Sequence, residues 1–426
     1  MTAAREAAGA PIPGGHAETR PAGLSLWRNR DFTLLWGGQV VSNLGAAISG
    51  TAMPLLVLSM TGSPADAGLV GAAGTLPHLI ANLPAGPLVD RWNRRRIMVV
   101  AEIVAGLTLL TVPIGLWTGL LGITQLCLVA FVQGLCFVFF GLAERAALPR
   151  IVPVAVLPTA IAHNEARARG AALAGPPAGG LMFGVDRALP FLADGVSYLI
   201  AGCALLFVRK DLQEQPAGTE PLWRAAATGL RWVWRHSFVR AAVLLLAASN
   251  LVFQALVLVI VVLAGEQGAG SATIGLMLGV YSVGGLLGAL AATRLHRVLS
   301  ARTIIIGINW VWAALLPLLA FTTNPFQIGA IGAACAFVGP LWNVVILTYA
   351  SVVVPNELLG RVMSAGQTLT WGVMPIASLG AGYLLTAVGP TASVWALAAV
   401  MLAAALAATL TPAIRTMPTL TPPSPG

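Results

Sequence analysis

The chain has 426 residues, 57% of them hydrophobic and only 9% charged, with a net charge of +9 and a mean hydropathy of +0.84. A soluble domain carries about 25% charged residues, so a water-facing exterior is excluded and most of the surface must meet lipid. The positive charge does not point to nucleic acid. Apart from Lys210 every basic residue of the Lys/Arg class is an arginine, and the arginines sit in short gaps between apolar runs, not along one face or tail.

Residues 1–24 are rich in Ala, Pro and Gly without an apolar run, and read as a disordered cytoplasmic tail, not a signal peptide. Apolar segments of about the 20 residues a bilayer requires follow. The first six cover 32–58, 67–88, 97–117, 121–142, 165–185 and 188–208. The next six cover 240–264, 271–293, 302–321, 326–350, 361–387 and 390–412, and residues 413–426 form a second cytoplasmic tail. The expected fold class is therefore an all-α membrane protein with twelve transmembrane helices.

Arginine placement fixes the expected orientation. With the N-terminus in the cytoplasm, Arg91, Arg94, Arg95, Arg96, Arg145, Arg150, Arg209, Lys210, Arg294, Arg297, Arg302 and Arg361 all fall in cytoplasmic gaps. Among the short gaps on the other side, only Arg187 interrupts the pattern. Positive residues are held on the cytoplasmic side, so both termini are expected inside the cell (inner) membrane.

The one long gap, 209–239, interleaves Trp223, Leu230, Trp232, Val233, Trp234 and Phe238 with Arg224, Arg231 and Arg235. That pattern predicts an amphipathic helix lying on the cytoplasmic membrane face. It separates two six-helix bundles, 25–208 and 240–412. A displacement of 202 residues carries Gly86 to Gly288, Val152-Pro153 to Val354-Pro355 and Gly180 to Gly382. The halves therefore read as parallel repeats, an arrangement that places a binding site between them near the bilayer midplane.

Cys127, Cys136, Cys203 and Cys335 lie inside apolar runs without metal-ligand or disulfide spacing. Neither a nucleophile elbow nor paired intramembrane acids are apparent, so no enzymatic activity, metal or cofactor is expected.

Two glycine-containing motifs stand out. After the second segment comes Gly86-Pro87-Leu88-Val89-Asp90-Arg91-Trp92-Asn93-Arg94-Arg95-Arg96, and the fifth contains Gly175-Pro176-Pro177-Ala178-Gly179-Gly180. A third stretch reads Val354-Pro355-Asn356-Glu357-Leu358-Leu359-Gly360-Arg361-Val362-Met363-Ser364. Together with Leu26-Trp27-Arg28-Asn29-Arg30-Asp31-Phe32 and Ser42-Asn43-Leu44-Gly45, these resemble the major facilitator superfamily over about residues 24–412. The third stretch is similar to its macrolide-efflux and enterobactin-exporter-like branch of drug:proton antiporters.

The resemblance implies the major facilitator fold, two pseudo-symmetric bundles working by alternating access. It implies a cytoplasmic gate at Asp90, Arg91, Arg94, Glu144 and Arg361, held shut in the outward-facing state. Asp90 would accept backbone N–H groups where the eleventh segment begins, and Arg94 would reach Glu144. Gly175, Pro176, Gly179 and Gly180 match the antiporter motif, which is associated with exporters. Small residues allow close helix contact, and Gly284, Gly285 and Gly288 are expected to supply the facing surface of the eighth segment.

In this fold the first, fourth, seventh and tenth segments line the cavity, with the second, fifth, eighth and eleventh beside them. Gln39, Asn43, Gln133, Phe137, Asn250, Gln254, Tyr281, Trp342, Asn343, Gln367 and Trp371 are then the expected lining. Uncharged amides and aromatics suit a bulky, moderately apolar substrate. Coupling to protons is less marked. Ala46 and Ala130 occupy positions where relatives carry an acid and an arginine, leaving Asp31, Glu102 and Asp194 as coupling residues, with Glu165 expected to pair locally with Arg167 or Arg169. The expected function is export of a drug, antibiotic or siderophore-like compound by a monomer using the proton gradient. A nutrient or metabolite importer and a non-transporting receptor or scaffold are the alternatives.

Overall fold

Asn29 begins the first helix by accepting the backbone N–H groups of Asp31 and Phe32 on its side-chain oxygen (3.2 and 3.3 Å). Helix α1 (Arg30–Thr61) then runs to Gly62, whose φ of 64° ends it in the left-handed conformation. This computed structural model describes residues 26–213 and 222–415. The expected tail 1–24, residues 416–426 of the second tail and 214–221 of the connector lie outside the described residues.

The second crossing is two helices, α2 (Pro64–Ile80) and α3 (Asn82–Arg91), which meet at Ala81. Pro84 lacks the N–H that would bond the carbonyl of Ile80 in a continuous helix, which accounts for the break. Next come α4 (Arg94–Thr118), α5 (Ile123–Ile151), α6 (Leu157–Val185) and α7 (Leu189–Leu206). After the connector helix α8 (Leu222–Arg235) follow α9 (Ser237–Glu266), α10 (Ser271–Val298), α11 (Ala301–Leu315), α12 (Pro325–Val353), α13 (Asn356–Trp371), α14 (Met374–Leu410) and α15 (Pro412–Arg415).

Nine helical stretches among the described residues are long and apolar enough to cross a membrane. One of them, Leu358–Leu410, holds two crossings, because Gly389 (φ 75°, ψ 174°) interrupts α14. The expected crossing at 67–88 is divided at Ala81. The one at 165–185 belongs to α6, whose first turns carry His163, Asn164, Glu165, Arg167 and Arg169. With these two the bundle has the twelve expected crossings.

The halves repeat one packing scheme. In the first, α1 packs on α6 and α7, α2 on α5, and α4 on α5 and α7. In the second, α9 packs on α14, α10 on α12, and α11 on α12 and α14. The displacement between them is not uniform. Helix starts are 207 residues apart for the first three crossings (Arg30 to Ser237, Pro64 to Ser271, Arg94 to Ala301) and 202 for the fourth (Ile123 to Pro325). Five residues are missing from the second half before α12. The structural counterpart of Gly288 is therefore Ala81, not Gly86, whereas Gly180 and Gly382 do correspond.

The connector helix does not lie freely on a membrane surface. Gly229 sits against the backbone carbonyl of Arg361 on α13, where a Cβ would clash. Val233 is buried with Val243, Val354, Val362 and Ala365. Part of its apolar surface is thus spent on the second bundle, while Leu230 and Trp234 remain exposed.

Candidate functional site: the cavity and seals between the two bundles

The bundles meet through two glycine crossings at the end bearing the short loops. Gly180 of α6 abuts Gly275 of α10, and a Cβ at Gly180 would stand 2.8 Å from the Gly275 Cα. Gly68 of α2 abuts Gly382 of α14 with the same 2.8 Å separation. Helix association in lipid relies on such close backbone approach, because lipid chains are as apolar as the side chains they would displace.

The antiporter-like motif serves two neighbours. Gly175 and Gly179 receive Ala47 and Ile48 of α1, whereas Gly180 faces α10. Pro176 and Pro177 pack on Gly275 and Gly279. The expectation that Gly284, Gly285 and Gly288 face the fifth crossing is corrected. Gly284 and Gly288 lie against Ala333 and Phe337 of α12, inside the second bundle, and Gly285 points toward the cavity.

A cavity of about 350 Å³ lies near the middle of α9, α10, α11 and α12, with Arg169 and Ala172 of α6 across from them. Four of the expected residues line it: Asn250, Tyr281, Trp342 and Asn343. The indole N–H of Trp342 is buried without a hydrogen-bond partner among the described residues. Asn250 donates to the Thr370 carbonyl (2.9 Å). Gln254 donates to the Ser378 hydroxyl (3.0 Å), tying α9 to α14.

Phe137 and Trp371 each pack edge-on against His78 in α2 instead, with ring centroids 5.6 and 5.1 Å away. His78 was not anticipated. Its signal in the sequence is a single ionisable ring inside the apolar run 67–88, but its aromatic partners come from other crossings. Asn43 and Gln367 are partly exposed, and their side chains have no hydrogen-bond partner among the described residues.

Two expected lining residues turn into the first bundle instead. Gln133 donates to the Ala105 carbonyl (2.7 Å). Gln39 donates to Glu102 (2.5 Å), which also accepts from Ser42 (3.2 Å). Glu102 is 3% exposed and neither snorkels nor pairs with a loop arginine. Asp194, 1% exposed, accepts from the hydroxyls of Ser49 and Ser197. The two carboxyls therefore face α1 from α4 and α7 respectively. Gly45 makes room for Asp194 and Ser197, since a Cβ there would collide with both.

Asp31 has a different task. Asn29 is the helix cap, and the Asp31 carboxylate accepts the backbone N–H groups of Arg209 and Lys210 (3.1 Å each). This fixes the start of α1 to the segment after α7.

In this conformation the gate residues have other partners. Arg94 does not pair with Glu144. It stands 3.6 Å from Asp90 and donates to the carbonyls of Ala146 (3.0 Å) and Leu212 (3.2 Å). Glu144 is bound by Arg167 at 2.9 Å, while Glu165 lies 3.9 Å from Arg169. Arg95 donates to Leu205 and Leu206 at the end of α7, and Lys210 to Ile151 at the end of α5 (3.0 Å). Cations at helix C-termini satisfy carbonyls that have no intrahelical partner, so these side chains cap helices as well as biasing topology. The Asp90 carboxylate is 61% exposed, although the Asp90 carbonyl accepts from Gln213 (2.7 Å). Arg361 contributes its carbonyl to the crossing with Gly229.

Residues 22–421 match the family described as transmembrane secretion effectors, within the major facilitator superfamily. The chain belongs to this family. It is 27% identical over 398 residues to the multidrug efflux pump Tap of Mycolicibacterium fortuitum, covering 88% of this chain and 94% of the relative. It is 24% identical over 184 residues to macrolide efflux protein A of Streptococcus pyogenes, covering 43% of this chain and 45% of that one. The fold matches a bacterial homologue of the iron transporter ferroportin, solved in an inward-facing state, with a TM-score of 0.69 at 17% identity over 90% of this chain and 98% of the other. The family assignment establishes a multi-pass membrane transporter with a small-molecule substrate.

Proposed function

We propose that this transporter exports a moderately hydrophobic small molecule across the cell membrane by alternating access, driven by proton entry. The observation that carries the reading is the cavity between the bundles, walled mainly by aromatic, amide and apolar side chains with Arg169 facing them from α6, and sealed at the short-loop end by two glycine crossings. Relatives named as multidrug and macrolide efflux proteins support this substrate class. The arginine-rich connector end faces the cytoplasm on the positive-inside principle. With that orientation the present conformation is open inward. One chain supplies both bundles and encloses the path, so a monomer suffices. Glu102 and Asp194 are the proton carriers.

The test is flux of a macrolide and of an aromatic dye into inside-out vesicles. Accumulation that requires an acidic interior and collapses with a protonophore is expected. Accumulation only in right-side-out vesicles would make the chain an importer, and binding without flux in either orientation would make it a receptor.

Asp90 acts when the connector end closes. Its exposed carboxylate then meets the N–H groups at the start of α13, an attraction of about 0.3–2 kcal/mol. Asp90→Asn should slow transport several-fold at unchanged membrane abundance, because among the described residues the carboxylate makes only a 3.6 Å approach to Arg94 in the present conformation. Transport at the wild-type rate, measured in the same vesicles, would remove the latch.

A further inference from the structure

A second cavity, about 650 Å³, opens on the outer surface of the first bundle between the end of α3, the first half of α4 and the middle of α5. It shares no lining residue with the central cavity. Arg91, Trp92 and Arg96 form its head, and Val100, Val104 and Phe139 are among its apolar walls. Trp92, Val100 and Val104 are exposed, so the groove opens sideways to the surroundings of the bundle. From Arg96 to Val104 the helix descends about 12 Å, from the level of lipid headgroups into that of acyl chains.

The cations at its head have a property their neighbours lack. Arg94 is spent on the carbonyls of Ala146 and Leu212, and Arg95 on that of Leu205 near the end of α7. The guanidinium groups of Arg91 and Arg96 have no hydrogen-bond or ion-pair partner among the described residues. Two unspent guanidinium groups above an apolar slot complement a phosphodiester carried on a hydrocarbon chain. Guanidinium matches phosphate geometry, tryptophan favours the interfacial level, and basic pockets between membrane helices hold anionic headgroups.

We propose that this groove binds one anionic phospholipid from the leaflet at the connector end, its phosphate between Arg91 and Arg96 and an acyl chain along Val100, Val104 and Phe139. The lipid braces the turn between α3 and α4, which carries Asp90 and Arg94. The site is independent of the direction and substrate of transport.

Native mass spectrometry of the full chain tests this, with mixed micelles of phosphatidylglycerol or phosphatidylcholine. Wild type should retain one phosphatidylglycerol in preference to phosphatidylcholine. Removing both cations in Arg91→Ala/Arg96→Ala should weaken retention about tenfold or more. Val100→Trp/Val104→Trp keeps the cations but fills the groove, and should lose the lipid as well. Both pairs lie on exposed surface, and a thermal melt confirms that each variant is folded. Equal retention of the two lipids by wild type, undiminished retention in the alanine variant, or loss in the alanine variant with full retention in the tryptophan variant would each overturn the site.

Discussion

Gly180→Leu should cut net transport about 5- to 150-fold while leaving the chain inserted in the membrane. At the α6–α10 crossing there is no space for even one added carbon, since a Cβ would lie 2.8 Å from the Gly275 backbone. Overpacking of this kind costs about 1–3 kcal/mol. That cost falls on the conformation in which the short-loop end is sealed and vanishes when the helices part. A bias of that size shifts the ratio of the two conformations about 5- to 150-fold, so the cycle stalls open at the short-loop end. Transport in reconstituted vesicles should fall accordingly. In a chain freed of its four native cysteines, Ile48→Cys is buried beside Gly179, and its labelling from the short-loop side should rise. Gly68→Leu should behave alike, being the mirror crossing. Gly50→Leu is the control, because nothing lies within 4 Å of a Cβ there. Wild-type transport and labelling in Gly180→Leu would show that the crossing is not a seal.

The glycines of α10 also show what the sequence could and could not reveal. The crossings themselves were legible, because twenty-residue apolar runs and arginine-bearing gaps follow directly from bilayer thickness and charge bias. Which glycine faces which helix required geometry. Gly275 and Gly284 are nine residues apart, and at 100° per residue they lie on opposite sides of α10. Gly275 and Gly279 meet α6 while Gly284 and Gly288 meet α12. The uniform 202-residue displacement failed for a related reason. Glycine and leucine are common enough in lipid-facing helices to match at a wrong offset, and only the helix starts expose the five-residue difference.

Polar side chains were harder still. An amide such as Gln39 or Gln133 reads equally well as cavity lining or as a partner for a buried group. Gln39 was settled by Glu102, 63 positions away in sequence. Glu144 shows the same limit with arginines: Arg94 was the expected partner, and in this conformation the partner is Arg167 on the adjacent helix. His78 acquires meaning only once Phe137 and Trp371 pack edge-on against it.

Glu102→Gln and Asp194→Asn should uncouple transport from the proton gradient without unfolding the chain. Both carboxyls are buried at membrane depth, where an ionised group without a cation is costly and is retained for function. Neither has an ion-pair partner among the described residues. Their hydrogen bonds come largely from one side of α1: Gln39, Ser42 and Ser49 fall within an arc of about 80° at 100° per residue. Ala46 lies in the same arc of α1. A neutral carboxyl can donate where a carboxylate only accepts, so gaining or losing a proton changes how α1 is held by these helices. The opposite neighbour of α1 is α6, through Ala47 and Ile48 against Gly175 and Gly179, and α6 carries Gly180 into the seal. A proton gained or lost at either carboxyl would thus act on the same pair of helices as the seal. Glutamine and asparagine preserve the shape of the acids and keep an acceptor, but do not titrate. Efflux driven by an imposed pH gradient should drop to background in each variant, whereas exchange of labelled for unlabelled substrate at equal pH persists. Thermal melting near that of wild type separates this result from collapse of the bundle. Gradient-driven efflux at the wild-type rate in both variants would move coupling away from these carboxyls, and loss of exchange together with efflux would assign them to architecture alone.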